Sequence, residues 1–440
     1  MGDPAVSSGG RVAGSLPLAN TPPGTPNELM PFDHVVVVMM ENHSFDNLLG
    51  ALHRTREHVD GLSFDDDAKA TNSNPGSGAL PGTVTAFPLT TTAQATNITQ
   101  SWRATHEQIN GGAMDGFVRS SGAIEPMSYY PPEVLPFAYS LAETFTLANR
   151  WFCSAPAPTY PNRRFLLAGT ALGLTVTNPL KLLDAPPPNG TIFDHLSSHN
   201  ISWANYSTEL PMTLVFPSIL AKHLGHHHGI DRFLHDCQAG SLPAVSFVDP
   251  ALGKLRSVAN TLPTLLKDAL SLLGVRLQDL PHGETEEDPD DMYYGEIWAY
   301  KTIEAVLRSP AWPRTLLIYT YDEHGGYYDH VTPPAAPIPD GFAPKLSEGD
   351  PPGDFGRYGP RVPAIVVSPY SKQEGVSNLV YDHTSVLATI EHKWNLPALT
   401  ARDANANTVM DCLDTSKTPR VDPPPLTAPS DTGASGPVTQ

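Results

Sequence analysis

Four apolar runs that never alternate with polar residues, 35–40, 244–248, 316–321 and 364–368, constrain this chain more than any other feature. A strand with one face in water alternates, whereas a strand apolar on both faces must be covered on both, which is the habit of parallel sheets. A helical pattern lies between these runs. In 295–308, Ala299, Ile303, Val306 and Leu307 recur at helical spacing and mark one buried face, and Pro310 ends the pattern. Strands alternating with helices over most of the length predict an α/β fold, a mainly parallel central sheet sandwiched by helices.

At 440 residues the chain could hold one large α/β domain or two ordinary ones. No internal repeat and no linker divides it. One domain is therefore expected over 31–414, after a Gly/Ser/Pro-rich arm at 1–30 and before a Pro/Ser/Thr-rich tail at 415–440. With 46 acidic against 27 basic residues the net charge is −19, which argues against unselective binding to nucleic acid or to anionic membrane surfaces. No apolar stretch approaches the roughly 18–20 residues of a membrane span, so no integral membrane segment is expected. The N-terminus lacks a basic region followed by an apolar one, which predicts a cytoplasmic protein, or an exported one whose signal has been removed from this sequence. Cys153, Cys237 and Cys412 cannot all pair, and three free thiols is the simplest reading. Two Pro/Gly-rich stretches, 52–130 and 330–360, read as long connections, either functional or disordered.

Ligands in open α/β sheets bind beyond the carboxyl ends of the strands. Two of the runs end there in polar residues, one in Glu41-Asn42-His43-Ser44-Phe45-Asp46 and the other in Asp322-Glu323-His324-Gly325-Gly326. Carboxylates and an amide at one edge suit a hard divalent cation, and the same residues would serve equally as helix caps or loop braces. A third segment, Ala155 to Arg164, is stiffened by Pro156, Pro158 and Pro161 and leads into an apolar run. It sets the Thr159 hydroxyl at the start of a helix, where free N–H groups favour a phosphate. There Thr159 is either an ordinary turn residue or a nucleophile, the latter needing a metal or base to take its proton. His226-His227-His228 and the acidic run 284–291 read as solvated turns, since adjacent side chains do not converge on one ion.

Together these segments resemble the phosphoesterase family that holds bacterial phosphatidylcholine-type phospholipases C, plant non-specific phospholipases C and a bacterial acid phosphatase. The resemblance spans about 31–400 and is carried by Asp33 to Asp46, Thr159 to Arg163, Leu242 to Ser246, Tyr321 to His330, and Tyr381 to Ser385. It implies an alkaline phosphatase/sulfatase-like fold. It also implies a metal site of Glu41, Asn42, Asp322 and Glu323 as ligands or direct supports, with Ca, Mg, Mn and Fe all open. Thr159 would be the nucleophile, Thr standing there in phospholipase-like members and Ser in the acid phosphatase. Asn162 and Arg163 would shape its loop and border the substrate, with His330, Asp382 and His383 as further substrate-side neighbours. Candidates for the acid that protonates the departing alcohol are His106, His282 and His324. Two departures stand out: Gln100 replaces a histidine expected six residues before His106, and a usual His-Pro pair reads His282-Gly283.

The expected activity is metal-dependent hydrolysis of a phosphate ester through a phosphothreonine. Phospholipase C-type cleavage of a phospholipid or phosphocholine ester comes first and a broad acid phosphatase second. A non-catalytic binding protein is disfavoured by the presence of Glu41, Asn42, Thr159, Asp322 and Glu323 together, and head-group transfer is separable only by its products. Tyr129, Tyr130, Tyr327 and Tyr328 could line a choline cage, though paired tyrosines are commoner in cores. Oligomeric state is not legible.

Overall fold

The structure is a computed structural model describing residues 10–78, 80, 82–94, 97–178, 181–182, 186–251, 286 and 291–429. Eight strands form its main sheet: β1 His34–Met40, β2 Thr146–Ala148, β3 Trp203–Ser207, β4 His227–Gly229, β5 Val245–Asp249, β6 Thr315–Tyr321, β7 Ala364–Val367 and β8 Val376–Ser377. They lie in the order β8-β2-β7-β6-β1-β5-β3-β4. Strand β1 is central, parallel to β6 on one side and to β5 on the other. Its residues from Val35 to Met40 are all buried, so both sheet faces are covered, as uninterrupted apolar runs require.

One expected parallel strand runs the other way. Strand β7 is antiparallel to both β6 and β2. The chain between 322 and 363 contains no helix that could carry it back across the sheet, so the next strand starts at the carboxyl edge and runs in reverse. Apolar content alone cannot distinguish a buried strand of either direction. The stretch 52–130 is likewise more than a connection, for it holds the helices Trp102–Ile109 and Phe117–Ser121 and a two-stranded sheet, Ser73–Pro75 with Thr83–Thr85.

The helices needed below are α1 Phe45–Leu49, α2 Trp102–Ile109, α3 Thr159–Ala168, α4 Met292–Leu307 and α5 Thr384–Trp394. In α4 the residues Ala299, Ile303, Val306 and Leu307 are all buried. The chain before β1 lies along the end of α5, where the Asn395 side chain donates to Thr21 O at 2.7 Å and accepts from Leu18 N at 2.8 Å. Between 415 and 429 the chain is also tied down, with Trp312 Nε1 donating to Arg420 O at 3.1 Å and Leu426 buried. Cys153, Cys237 and Cys412 are free and buried. Among the described residues no helix is long and apolar enough to cross a membrane.

Candidate active site

Strands β1 and β6 pair in parallel with Met40 beside Tyr321, so Glu41 and Asp322 leave the sheet side by side. The chain turns at once after β1. Asn42 takes φ 69°, a left-handed conformation that asparagine tolerates, and Ser44 caps α1, its Oγ accepting from Asn47 N at 3.1 Å. After β6 the turn needs glycine. Gly325 has φ +65°, and a Cβ there would lie 1.8 Å from Asn42 O, so the two turns meet backbone to backbone.

Thr159 is the first residue of α3 and only 5% exposed. The Asn162 amide stiffens the loop before it, donating to Ala157 O at 2.6 Å and accepting from Ala155 N at 3.0 Å. One turn further on, the fully buried Arg163 donates from Nε to Asp322 Oδ2 at 2.9 Å and from Nη2 to Met40 O at 3.0 Å. Glu41 Oε1 lies 3.9 Å from the same Nη2, and Asp249 Oδ1 lies 3.9 Å from Nη1. Burial opposes the guanidinium charge, but Asp322, Glu41 and Asp249 hold its pKa above the ordinary value. Residues i and i+4 share a helix face, so the face that begins with Thr159 is pinned against the two strand ends.

Asp322 itself acts as a brace. Burial raises its pKa, while Arg163 and the backbone N–H groups of Asn42 (3.3 Å) and Glu323 (2.8 Å), all donating to the carboxylate, work against that. Among the described residues no three His, Cys, Asp or Glu side chains converge at metal-ligand spacing. Two buried acceptors nevertheless fit a cation. Asn42 Oδ1 has no hydrogen-bond partner among the described residues, and His324 Nδ1 faces Glu323 Oε2 at 3.4 Å. The His324 tautomer follows from its neighbour. Gln108 Nε2 donates to Thr99 O at 2.9 Å, so its Oε1 must accept the 2.7 Å bond from His324 Nε2–H, leaving Nδ1 as a lone pair. Burial pushes His324 down to about 3, which keeps the ring neutral at ordinary pH.

The other selected residues are brought to this edge only in part. His383 lies beneath it, donating Nε2–H to Asp322 O at 2.6 Å, while its Nδ1 accepts from Trp151 Nε1 at 3.4 Å. Asp382 is bound by Thr384 Oγ1 at 2.5 Å and Ser154 Oγ at 2.8 Å, with Arg402 3.7 Å away. Both residues brace loops through these bonds, and Asn162 shapes the loop before Thr159 as the resemblance implies. His106 packs its ring on Trp102 and bonds Trp102 O through Nδ1 at 2.7 Å. It stands two residues from Gln108 on α2, hence on a different flank from the His324 contact. His282 lies outside the described residues. Tyr129, Tyr130, Tyr327 and Tyr328 are all buried, and Tyr327 stacks on His43 at 5.0 Å, so these rings pack the interior in place of a cage.

His330 is committed to ion pairs as well. Its Nδ1 lies 2.7 Å from Asp46 and its Nε2 3.2 Å from Asp60, and Asp46 is also paired with the buried Arg361 at 3.2 Å. Burial lowers the His330 pKa, but Asp46 and Asp60 raise it to about 10. A folded-state pKa above the unfolded value of 6.5 stabilises fully below pH 6.5, and the benefit is lost as pH rises towards 10. The stability deficit of His330→Gln, measured by urea titration, should therefore be largest near neutral pH or just below and shrink towards about pH 10. A deficit that stays flat or grows with pH would show that His330 is not held charged.

Other sequence readings change too. His226 stacks on Trp203 with centroids 4.1 Å apart, and His227 is buried in edge strand β4 with Nε2 2.7 Å from Thr213 Oγ1, so the triplet is ordered structure instead of a solvated turn. In the acidic run, Glu286 is buried, and desolvation pushes it up to about 8. Asp291 caps α4, and residues 284, 285 and 287–290 lie outside the described set. Two contributors escaped the sequence reading. Asp249 ends β5 at the same carboxyl edge as Glu41, which was a usable signal. Gln108, uncharged and in the last turn of α2, offered none.

Residues 32–397 match the Phosphoesterase family along one continuous stretch. The chain belongs to that family. It is 32% identical to non-specific phospholipase C1 of Arabidopsis thaliana over 425 residues, covering 90% of this chain and 73% of that one. It is 28% identical to phospholipase C B of Mycobacterium tuberculosis, covering 92% of this chain and 82% of that one. Among solved structures, an alkaline phosphatase superfamily protein from Vibrio parahaemolyticus aligns at 12% identity and a TM-score of 0.35, over 80% of this chain and 77% of that one. At that score the likeness carries no argument, and the sheet stands on its own pairing. This member of the Phosphoesterase family is a hydrolase acting on phosphoric ester bonds.

Proposed function

We propose that this phosphoesterase is a metal-dependent phospholipase C-type hydrolase that works through a phosphothreonine on Thr159. The observation that carries the reading is Arg163, which ties the helix beginning at Thr159 to the strand ends bearing Glu41 and Asp322. Relatives named as phospholipases C, matched over nine-tenths of the chain, support the substrate class.

Glu41, Asn42 and Glu323 would hold the cation, with Asp322 bracing them through Arg163. A divalent ion there supplies Lewis acidity, lowering the pKa of a nearby hydroxyl and sharing the charge on a phosphoryl oxygen. The remaining work falls to the chain. The positive end of the α3 dipole would face the phosphoryl oxygens, and Asn162 keeps the loop from moving as charge develops. Thr159 Oγ gives up its proton to solvent and attacks phosphorus in line, the P–O bond to the alcohol breaks, and the alkoxide leaves with a proton from water. A second water later cleaves the phosphothreonine, which for a diester still carries the head group. Near-complete burial of Thr159 limits the approach of competing water until substrate is seated.

The test is chelation followed by re-addition of Ca, Mg, Mn or Fe, with a chromogenic phosphate monoester and a chromogenic phosphocholine diester as substrates. Chelation should abolish turnover, one of the ions should restore it, and the diester should be the better substrate. Full activity after exhaustive chelation would overturn the metal, and a strong monoester preference would make the protein a phosphatase.

A further inference from the structure

Eleven large apolar side chains are exposed among the described residues, and three of them, Ile338 (51%), Phe342 (45%) and Leu346 (39%), fall within nine residues of each other. The other eight are scattered between Val12 and Val421, as on any surface. This segment is not a frayed loop. Lys345 N donates to Gly173 O at 2.7 Å, Thr175 Oγ1 donates to Lys345 O at 3.0 Å, and Ala401 N donates to Pro339 O at 3.2 Å. Thr170, just past the end of α3, is hydrogen-bonded to Asp340. The backbone is stitched to the protein while the apolar side chains are held out in water, a fixed presentation that costs solvation unless something covers it.

The patch borders the site. A cavity of about 350 Å³ opens at its Leu346 end, lined by Leu174, Val176, Lys181, Lys345 and Leu346 among others. The neighbouring Thr177 Oγ1 accepts from Tyr160 N at 3.4 Å, one residue after Thr159. Further along the same stretch Trp102 Nε1 donates to Pro351 O at 2.9 Å, so 338–351 runs from the nucleophile helix to α2, the helix that holds His324 through Gln108. Apolar side chains with two exposed lysines beside them match a lipid interface, with the rings and alkyl groups among the acyl chains and the ammonium groups at the phosphates. A net charge of −19 repels an anionic surface, which leaves a zwitterionic one.

We propose that Ile338, Phe342 and Leu346, flanked by Lys181 and Lys345, dock this enzyme on a zwitterionic phosphatidylcholine surface so that lipid enters beside Thr159. The proposal rests on the phospholipase C reading for the identity of the surface, and its test separates the two. Full-length wild type and the triple variant I338S/F342S/L346S are compared by co-sedimentation with phosphatidylcholine vesicles, by hydrolysis of those vesicles, and by hydrolysis of the soluble chromogenic diester. The double variant K181E/K345E is a second probe that leaves the apolar side chains in place.

Wild type should sediment with the vesicles, and the triple variant should lose partitioning by on the order of 100-fold. Vesicle hydrolysis should fall in parallel while soluble diester hydrolysis stays within about twofold of wild type. K181E/K345E should show a smaller loss of the same kind. Vesicle binding equal to wild type in both variants would overturn the proposal, as would a wild type that ignores zwitterionic vesicles or prefers anionic ones. Sedimentation velocity without lipid covers the remaining occupant: a wild-type dimer that the triple variant dissolves would make the patch a self-association face. Vesicle binding without hydrolysis of any ester would sink the reaction assignment and leave docking standing.

Discussion

Thr159→Ala should lower turnover of the chromogenic phosphocholine diester by on the order of 10⁴-fold or more, because a covalent route without its nucleophile falls back on unassisted attack by water. The fold should be unaffected. Thr159 caps nothing through its side chain, since the N-cap of α3 is Pro158 and Asn162 stiffens the loop. The melting temperature of the variant should therefore match wild type within a degree or two, and the loss should appear in kcat. Thr159→Ser retains a hydroxyl at the same helix start and should keep measurable activity. Quenching wild type during turnover of a labelled phosphocholine diester should trap the phosphocholine unit on Thr159. Retention of activity within about tenfold by Thr159→Ala would end the nucleophile assignment, whatever the metal assay shows.

Arg163→Ala should cost about 3–5 kcal/mol of folding stability, the usual penalty for removing one partner of a buried charge cluster. Three carboxylates, Asp322, Glu41 and Asp249, lie within 3.9 Å of its guanidinium, and all are buried. Met40 O would lose one of its two donors, keeping Asp322 N at 3.2 Å. Arg163→Lys keeps the charge but not the fork that reaches Asp322 and the strand carbonyl together, so it should fall between wild type and the alanine variant. Urea unfolding at neutral pH measures the difference, and a loss below about 1 kcal/mol would show that the cluster is not held by this residue. Activity of Arg163→Lys tests the site separately: a chain still folded, with α3 no longer pinned to the strand ends, should lose kcat before it loses cooperativity of unfolding.

The parts of the site on strand ends were legible because their positions follow from local pattern. An uninterrupted apolar run names a buried strand, and whatever polar residues follow it must emerge at the carboxyl edge, which places Glu41, Asn42, Asp322 and Glu323 together. The helix start at Thr159 was legible for a similar reason, since prolines before it and an apolar run after it mark one. Roles that depend on hydrogen-bond partners were not legible. His383, Asp382 and His330 look like ligand contacts in the chain, yet each spends polar atoms on residues that sequence separation hides, whereas Asn162 bonds only its own loop. His383 meets Asp322 across 61 positions, and His330 meets Asp46 across 284. The same blindness made Glu286 look solvated and β7 look parallel.

What the sequence determined by itself is the set of buried strands and the chemistry delivered to their carboxyl edge, because periodicity and turn residues act over a few positions. What only the tertiary structure decided is which of those groups remain available for chemistry. A buried polar atom must find a partner, and that partner is chosen by the packing of distant segments. Arg163 bracing Asp322, Gln108 fixing the tautomer of His324, and the stitched segment that holds Ile338, Phe342 and Leu346 in water are all settled at that level.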